Sequence, residues 1–338
     1  MRRVVGEATF TTDKKDWMPA TFELGLVSVI IPLYNRPQLI IESLDSLRKQ
    51  TYRPIEVCVV DDGSGDDSLD RLEAWAKVYE REDFRIITRR QHNQGAPAAR
   101  NHGVRLSQGE FIMFMDSDDT LEPQALEWAV ERLQANPADP FVYFRVQVGD
   151  EHLRPICNWT VGQPYENDEG DVTRYLWHTM GPVYRRRVVR EVGPWSTWLR
   201  GSQDWEYAAR VKLAGFRGHF DKRISGTWRH HKGPRIGAQK FRYDYVLAVE
   251  QACERVRDIA AEQDELNPRV AKTLARRLLI HALELGQNKR ITDRNRFVQT
   301  ASDLPVKDMP TRLLTRLLQL NPSATLDRVF YRALKRKG

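Results

Sequence analysis

The chain has 338 residues, of which 41% are hydrophobic and 29% charged, with a formal net charge of +7 at pH 7. This composition is ordinary for a globular protein, and the length suits a large domain with an additional segment. The three cysteines form no CxxC pair, and no apolar run is long enough to cross a membrane. Residues 1–25 lack the apolar stretch of a signal peptide, so we expect a cytoplasmic protein with reduced thiols.

The positive charge is concentrated towards the C-terminus. From Arg255 to Gly338 there are 18 Lys and Arg residues against 9 Asp and Glu residues. No helix-turn-helix, RNP or zinc-finger pattern accompanies this charge, so we expect no nucleic-acid partner. Two late amphipathic segments, around Leu313 and around Phe330, predict helices. These helices either pack on the main domain or make peripheral contact with an anionic membrane, at the inner face of the cell membrane.

Strands and helices are predicted to alternate along the first part of the chain. Short apolar runs without alternation are typical of strands that are buried on both faces. Apolar residues at helical spacing separate these runs. The pattern predicts right-handed βαβ units and a mostly parallel sheet. The four predicted strands cover residues 27–32, 55–60, 84–88 and 111–115.

The remaining sequence predicts a more varied succession of elements and then a helical region. Alternation over residues 141–148 predicts an edge strand, and the polar stretch 150–175 predicts loops. From about Phe241 the pattern is entirely helical. The other predicted elements are helices over 126–133, 184–192 and 203–214 and a last strand over 224–228. We therefore predict an N-terminal arm (1–25), an α/β domain (26–238) and a basic helical C-terminal region (239–338).

The sequence FIMFMDSDD places three carboxylates directly after a buried strand. Asp116, Asp118 and Asp119 would repel one another there, and unpaired buried charges are costly. Mn²⁺ or Mg²⁺ would relieve this repulsion, because hard cations prefer a few carboxylate oxygens together with phosphate oxygens of a substrate. The alternative is a solvated loop that caps the helix beginning near Pro123.

Polar residues also follow the first two predicted strands. In an open parallel sheet, ligands bind in the crevice beyond the carboxyl ends of the strands. The first strand leads into the sequence PLYNR (32–36), and the second ends at Asp61 and Asp62. Asp61 is placed to accept hydrogen bonds from a nucleoside, although either aspartate could instead form a turn or cap the next helix. Arg100, in HNQGAPAARN, could stack on a base or form a surface ion pair.

These motifs resemble the GT-A domain of family 2 inverting glycosyltransferases. VSVIIPLYNRP, VVDDGSGDDS, NQGAPAARN and FMDSDD occur in the family's order, and the resemblance extends from about Val27 to His231. It implies a GT-A (Rossmann-like) α/β fold, a mostly parallel mixed sheet sandwiched by helices, here with an all-helical C-terminal extension. It also implies a nucleotide, commonly uridine, and a metal ion on Asp118, with Asp119 in support. The implied nucleotide-binding residues are Pro32, Tyr34, Arg36, Asp61, Arg100 and Asp116.

Two further motifs bear on catalysis. GSQDWEYAARV resembles the E-D-W type motif, whose Asp is the general base. Here the usual Glu is Gln203, so the resemblance implies Asp204 as base, with Glu206 as second choice; capping of a helix is the alternative. TWRHHKG offers His230 and His231 and resembles a Y-R-x-H stretch whose His can approach the metal or the diphosphate. Alignment on Trp228 and Arg229 implies His231, and a purely structural histidine is the alternative. Arg229 in the same stretch could help to neutralise the leaving diphosphate.

The implied function is metal-dependent, inverting transfer of a sugar from a nucleotide diphosphate donor, most simply a UDP-sugar, to a hydroxyl of a glycan or lipid-linked acceptor. The sequence lacks the glycine-rich phosphate loop of a nucleotidyltransferase and the G-x-G-x-x-G of a dehydrogenase. It also lacks the membrane spans and the Q-x-x-R-W motif of a processive synthase. The alternative is a non-catalytic subunit of a glycan assembly complex that binds a nucleotide-sugar or acts as a scaffold.

Overall fold

A computed structural model describes residues 17–161, 177–230 and 243–320, which contain nine strands and ten helices. The strands are β1 (Glu23–Leu33), β2 (Ile55–Asp61), β3 (Phe84–Arg90), β4 (Gly109–Phe114), β5 (Thr120–Leu121), β6 (Phe141–Gly149), β7 (Pro155–Val161), β8 (Pro182–Arg185) and β9 (His219–Arg229). The helices are α1 (Leu39–Arg48), α2 (Ser68–Tyr79), α3 (Ala96–Leu106), α4 (Ala125–Ala135), α5 (Arg186–Val192), α6 (Gln203–Leu213), α7 (Tyr243–Glu262), α8 (Pro268–Gln287), α9 (Ile291–Ser302) and α10 (Met309–Leu320).

The described residues divide into two compact units. The first, the α/β unit, contains the described residues up to Val161 together with Trp177–Trp195 and Arg217–His230. The second, the helical unit, contains Ser196–Phe216 and the described residues after His230. The segment that carries α6 therefore clusters with the C-terminal helices. The domain boundaries from the sequence remain a prediction.

All nine strands belong to one mixed sheet with the order β3-β2-β1-β4-β8-β6-β9-β5, and β7 pairs with β6. Strands β3, β2, β1 and β4 are parallel, which confirms the predicted parallel arrangement of the first half. Leu33 lies opposite Asp61, and Ile30 lies opposite Phe114. The carboxyl ends of β2, β1 and β4 consequently meet at one edge of the sheet.

Helices cover both faces of the sheet because the strands are apolar on both sides. Alternate residues of β1, such as Val29 and Ile31, join a core cluster that includes Leu44 of α1 and Leu126 of α4. Ile30 points to the opposite face, where α3 packs so closely that a Cβ atom on Gly103 would lie 2.5 Å from the Ile30 side chain. The strands are thus enclosed, as the apolar runs of the sequence predict.

Three predictions for the middle of the chain are corrected. Strand β6 lies inside the sheet rather than at an edge, because it pairs with β8 on one side and with β9 on the other. Part of the predicted loop 150–175 forms β7, which pairs with β6. Tyr184 lies in β8, opposite Ile112, and α5 begins only at Arg186.

The helical unit has its own apolar core. Trp205 and Leu213 of α6 pack in one cluster with Leu278 of α8 and Phe297 of α9. Helix α8 begins at Pro268, and the side chain of Asn267 accepts hydrogen bonds from the first free N–H groups, a typical N-cap. No helix among the described residues is long and apolar enough to cross a membrane. The predicted segment around Phe330 and most of the N-terminal arm lie outside the described residues.

Candidate active site

The two neighbouring carboxylates at the end of β2, Asp61 and Asp62, are both buried but have different partners. Asp62 accepts hydrogen bonds from two backbone N–H groups of the loop 94–95, at 2.9 and 2.7 Å. Asp61 Oδ1 accepts from the N–H of Ser64 at 3.2 Å, while its Oδ2 lies 3.2 Å from Nε of Arg90 without completing a hydrogen bond. Asp62 therefore shapes the loop before α3, whereas Asp61 keeps an acceptor atom for another group.

The loop after β1 is fixed by the turn that follows β2. Asn35 has a left-handed backbone (φ 50°), which Asn tolerates better than most residues. Its N–H donates to Ser64 Oγ at 3.0 Å, and its Oδ1 accepts from the N–H of Gly65 at 2.9 Å. Tyr34 is half exposed, whereas Pro32 is buried within β1. Tyr34 can therefore present its side chain to a ligand, and Pro32 can offer only its backbone.

Both carboxylates of the D-x-D motif face an arginine. Arg100 donates to Asp116 Oδ1 at 2.6 Å, and its Cζ lies 4.6 Å from the ring centroid of Trp195. Nε of Arg36 lies 3.7 Å from Oδ2 of Asp118. Four residues predicted from three separate motifs are thus brought together at the sheet edge. Trp195 was missed, because nothing in its local sequence connects it with Arg100.

Asp119, the third carboxylate of the motif, is fully buried. Its Oδ1 accepts from the backbone N–H of Arg229 at 3.0 Å, and its backbone carbonyl accepts from Ser43 Oγ at 2.7 Å. Burial, followed by repulsion from Asp118 and Asp116, raises the pKa of Asp119 well above its usual range. Asp119 therefore anchors the loop from within, and its supporting role at a metal stays a prediction.

Arg229 holds the same loop from β9. Its guanidinium donates to the carbonyl of Asp118 at 2.8 Å, to the carbonyl of Glu151 at 2.7 Å and to Glu42 Oε2 at 2.6 Å. The side chain is almost completely buried by these contacts. Arg229 consequently fixes the backbone of the motif, a different task from the predicted neutralisation of a diphosphate.

The donor set at this edge fits a cation that is shared with a substrate. Among the described residues, no group of three or more His, Cys, Asp and Glu side chains is arranged as a metal site. Mg²⁺ and Mn²⁺ in nucleotide-dependent enzymes often take only one or two protein carboxylates and complete their shell with phosphate oxygens and water. Asp118 and Asp116 match that requirement. His231, the other predicted ligand, lies outside the described residues.

In the helical unit, the two candidate bases differ in availability. Asp204, in the first turn of α6, is partly exposed, and its Oδ1 accepts from the N–H of Trp205 at 2.8 Å. Glu206 is fully buried; its two oxygens accept from Arg210 at 2.7 and 3.1 Å, and Oε1 also accepts from Ser196 at 3.0 Å. A carboxylate enclosed by such bonds is poorly placed to take a proton from a substrate, so the geometry favours Asp204.

Comparison with known proteins identifies the class. Residues 28–193 match the family described as Glycosyl transferase family 2. The chain is 32% identical over 221 residues to "Putative glycosyltransferase EpsH" of Bacillus subtilis, covering 59% of this chain and 57% of the relative. It is 30% identical over 183 residues to "Glycosyltransferase GlyG" of Streptococcus pneumoniae, covering 54% and 52%. The chain thus spans about half the length of these curated relatives.

Solved structures give the fold. The chain resembles Staphylococcus aureus TarS 1–349 in complex with UDP-GlcNAc, with a TM-score of 0.67, 19% identity and coverage of 91% of this chain and 92% of that one. It also resembles the mannosyltransferase PcManGT of Pyrobaculum calidifontis in complex with GDP-Man and Mn²⁺, with a TM-score of 0.53, 17% identity and coverage of 95% and 89%. The α/β unit has the architecture of a GT-A transferase. Residues 28–193 form a glycosyltransferase family 2 domain, and the predicted family and fold are confirmed.

Proposed function

We propose that the protein transfers a sugar from a UDP-sugar donor to a hydroxyl group of a glycan or lipid-linked acceptor, with inversion at the anomeric carbon. The observation that carries the proposal is the meeting of three strand ends, which places Asp61, Asp116 and Asp118 at one edge of the sheet with Arg36 and Arg100. The similarity to TarS, whose structures include complexes with UDP-GlcNAc and with UDP, supports a uridine nucleotide.

The nucleotide would be recognised by groups with complementary hydrogen-bonding capacity. Oδ2 of Asp61 is buried and has no hydrogen bond among the described residues, so it can accept an N–H donor such as that of uracil. Arg100 offers a planar cation on the base side of the site, and Asp116, to which it donates, can accept from a ribose hydroxyl. Tyr34 and the backbone at Pro32 would line the same pocket, as the family resemblance implies.

Asp118, with Asp116 beside it, would hold Mn²⁺ or Mg²⁺. When bound, such a cation neutralises and orients the diphosphate of the donor. The structure shows what the protein itself supplies: Arg229 and Ser43 fix the backbone on which these carboxylates sit. Arg36 is available to exchange its ion pair with Asp118 for a phosphate oxygen, because guanidinium binds both groups well.

Asp204 would act as general base in the transfer step. Its carboxylate takes the proton of the acceptor hydroxyl while the hydroxyl oxygen forms a bond to the anomeric carbon. The bond between that carbon and the diphosphate oxygen breaks on the opposite side, and its electron pair leaves with the nucleoside diphosphate. Attack opposite the leaving group gives inversion. His231 remains a proposed contact to the metal or diphosphate.

Calorimetric titration of UDP in the presence of Mn²⁺ tests the binding site. We expect Asp118→Asn and Asp116→Asn to weaken binding about tenfold or more, since each removes a charge from the proposed cation site. Asp70→Asn, at an exposed position of α2, is the matched control. If both variants bind UDP with Mn²⁺ as the wild type does, the site is wrongly assigned. A protein that binds UDP but neither hydrolyses nor transfers any UDP-sugar would instead be the non-catalytic subunit considered above.

Peripheral contact with an anionic membrane is proposed for α10. Its exposed face carries apolar side chains beside arginines, and the helix contains no acidic residue. Co-sedimentation with phosphatidylglycerol vesicles should be lost in a Leu313→Gln/Leu317→Gln variant and kept in the Val78→Gln control. Equal binding to phosphatidylcholine vesicles would contradict this proposal. The residues of that face are Met309, Arg312, Leu313, Arg316, Leu317 and Leu320.

A further inference from the structure

The turn that leads into α6 has a strained backbone. Ser202 directly precedes the helix and has φ 55°, a left-handed conformation that is uncommon for residues other than glycine. Such a conformation persists only where surrounding contacts impose it. Asp204 follows two residues later, so the direction in which its carboxylate points depends on how this turn is held.

The side chain of Arg277 on α8 contacts residues on both sides of Asp204. Its Nη2 donates to Ser202 Oγ at 3.0 Å. Its Cζ lies 4.2 Å from the ring centroid of Trp205, a stacked cation–π contact. Arg277 also forms a hydrogen bond with Cys253 of α7, a thiol whose pKa burial raises to about 12. The contact with Cys253 thus helps to hold the Arg277 side chain, which links the strained turn to the first turn of α6.

Tyr245 of α7 holds the same turn from another direction. A Cβ atom on Gly201 would lie 2.5 Å from the tyrosine ring, so the ring rests directly on the backbone before Ser202. The Tyr245 hydroxyl shares a hydrogen bond with Ser202. Burial raises the pKa of Tyr245, the charge of Arg277 opposes this rise, and the charge of Asp204 adds to it. The turn 201–204 is therefore enclosed between α7 and α8.

We propose that Arg277 and Tyr245 are positioning residues for Asp204, so that the C-terminal helices take part in sugar transfer by orienting its general base. The inference rests on the proposed function, in which Asp204 takes the acceptor proton. A base must lie within hydrogen-bond reach of the proton that it removes, and small misplacements of a catalytic group cost rate far more than they cost binding. The arginine and the tyrosine act through the turn without touching substrate.

Steady-state kinetics of Arg277→Met should separate this role from a general loss of stability. We expect kcat to fall about 10- to 100-fold, while the donor KM and the calorimetric UDP affinity stay within about twofold. Arg277→Lys should recover part of kcat, because its ammonium can still reach Ser202. Arg276→Met, the neighbouring position on α8, is the matched control and should behave as the wild type.

Two milder variants keep the test valid if Arg277→Met does not fold. Ser202→Ala removes the hydroxyl that bonds both Arg277 and Tyr245, and Gly201→Ala displaces the tyrosine ring. Both should lower kcat at constant donor KM. Unchanged kcat in Arg277→Met or in Ser202→Ala, or an equal loss of UDP affinity, would overturn the inference. Asp204→Asn separates a failure of the proposed function from a failure of the positioning role. If this variant keeps wild-type turnover, Asp204 is not the base. If it is inactive while Arg277→Met is normal, only the positioning role fails.

Discussion

The acidic residues of the α/β unit and of the helical unit are held in place by different means. Asp61, Asp116 and Asp118 stand at strand ends, where the register of a parallel sheet brings them together and short loops fix them. Asp204 stands at a helix start, and the groups that hold its turn come from helices α7 and α8, much later in the chain. The strand-end acids are thus brought together by strand register, with further support from Arg229 and Ser43, whereas the turn of the helix-borne acid is held by later helices.

The largest effect is expected when the helix-borne acid itself is changed. Asp204→Asn should lower kcat by about 10²–10⁴, because the acceptor hydroxyl loses its proton acceptor. UDP affinity in the presence of Mn²⁺ should be unchanged, since the proposed nucleotide ligands are elsewhere. Transfer assays and calorimetry on the same preparation measure both quantities. Asp303→Asn, an exposed residue after α9, serves as control, and a parallel loss of UDP affinity would contradict the separation of roles.

Within the α/β unit, the neighbouring carboxylates of β2 should give opposite results. Asp62→Ala removes the acceptor of two backbone N–H groups and should lower the free energy of unfolding by about 2–3 kcal/mol. Asp61→Asn can still accept from the N–H of Ser64, so we expect a stability change below about 1 kcal/mol and a roughly tenfold weaker UDP affinity.

Urea unfolding and calorimetry on the two variants measure these effects. If Asp61→Asn were the more destabilising change, or if Asp62→Ala alone weakened UDP binding, the assignment of one carboxylate to the fold and the other to the nucleotide would be reversed.

The smallest effect is expected when the residue that caps α10, in the helical unit, is changed. Asp308 accepts from the N–H and hydroxyl of Thr311 and from Lys272 Nζ at 2.7 Å, capping α10. Although burial opposes the shift, these bonds lower the pKa of Asp308 to about 2. Asp308→Ala should therefore cost about 1 kcal/mol at neutral pH. The charged form gives stability above the unfolded pKa of about 3.9, and that part is lost as the pH falls through about 2.

Unfolding of the wild type and of Asp308→Ala, followed by circular dichroism from neutral pH downwards, should show the difference between them shrinking below about pH 4. A stability difference that stays constant down to about pH 2 would mean that the contribution of Asp308 does not depend on its charge.

Much of the α/β unit was predictable because its strands are short apolar runs that end in polar motifs. The register of these strands then follows from parallel pairing, and Arg100 meets Asp116 from α3, the helix that directly precedes β4. Strand β7 was missed because the polar and proline-containing stretch around Pro155 has no strand-like alternation. The position of Tyr184 in a strand depends on its neighbours Ile112 and Phe141, which no local pattern reveals.

The residues that hold the site in place were harder to predict than its carboxylates. Trp195 stacks on an arginine that is 95 positions earlier, and Arg229 binds backbone carbonyls, which any sequence provides. Arg277 and its neighbour Arg276 are both arginines of α8, so the sequence alone does not show which of them supports the turn. Motifs mark the groups that meet a substrate, whereas the groups that orient them are chosen by tertiary structure.

The assignment of Ser196–Phe216 to the helical unit limits how this protein can be cut or recombined. Truncation after His230 would keep the nine described strands but leave Leu199, Trp205 and Leu213 of the α6 segment without their partners. An uncovered apolar face of this kind promotes aggregation. A chimaera that exchanges the C-terminal helices must therefore also exchange the internal segment Ser196–Phe216.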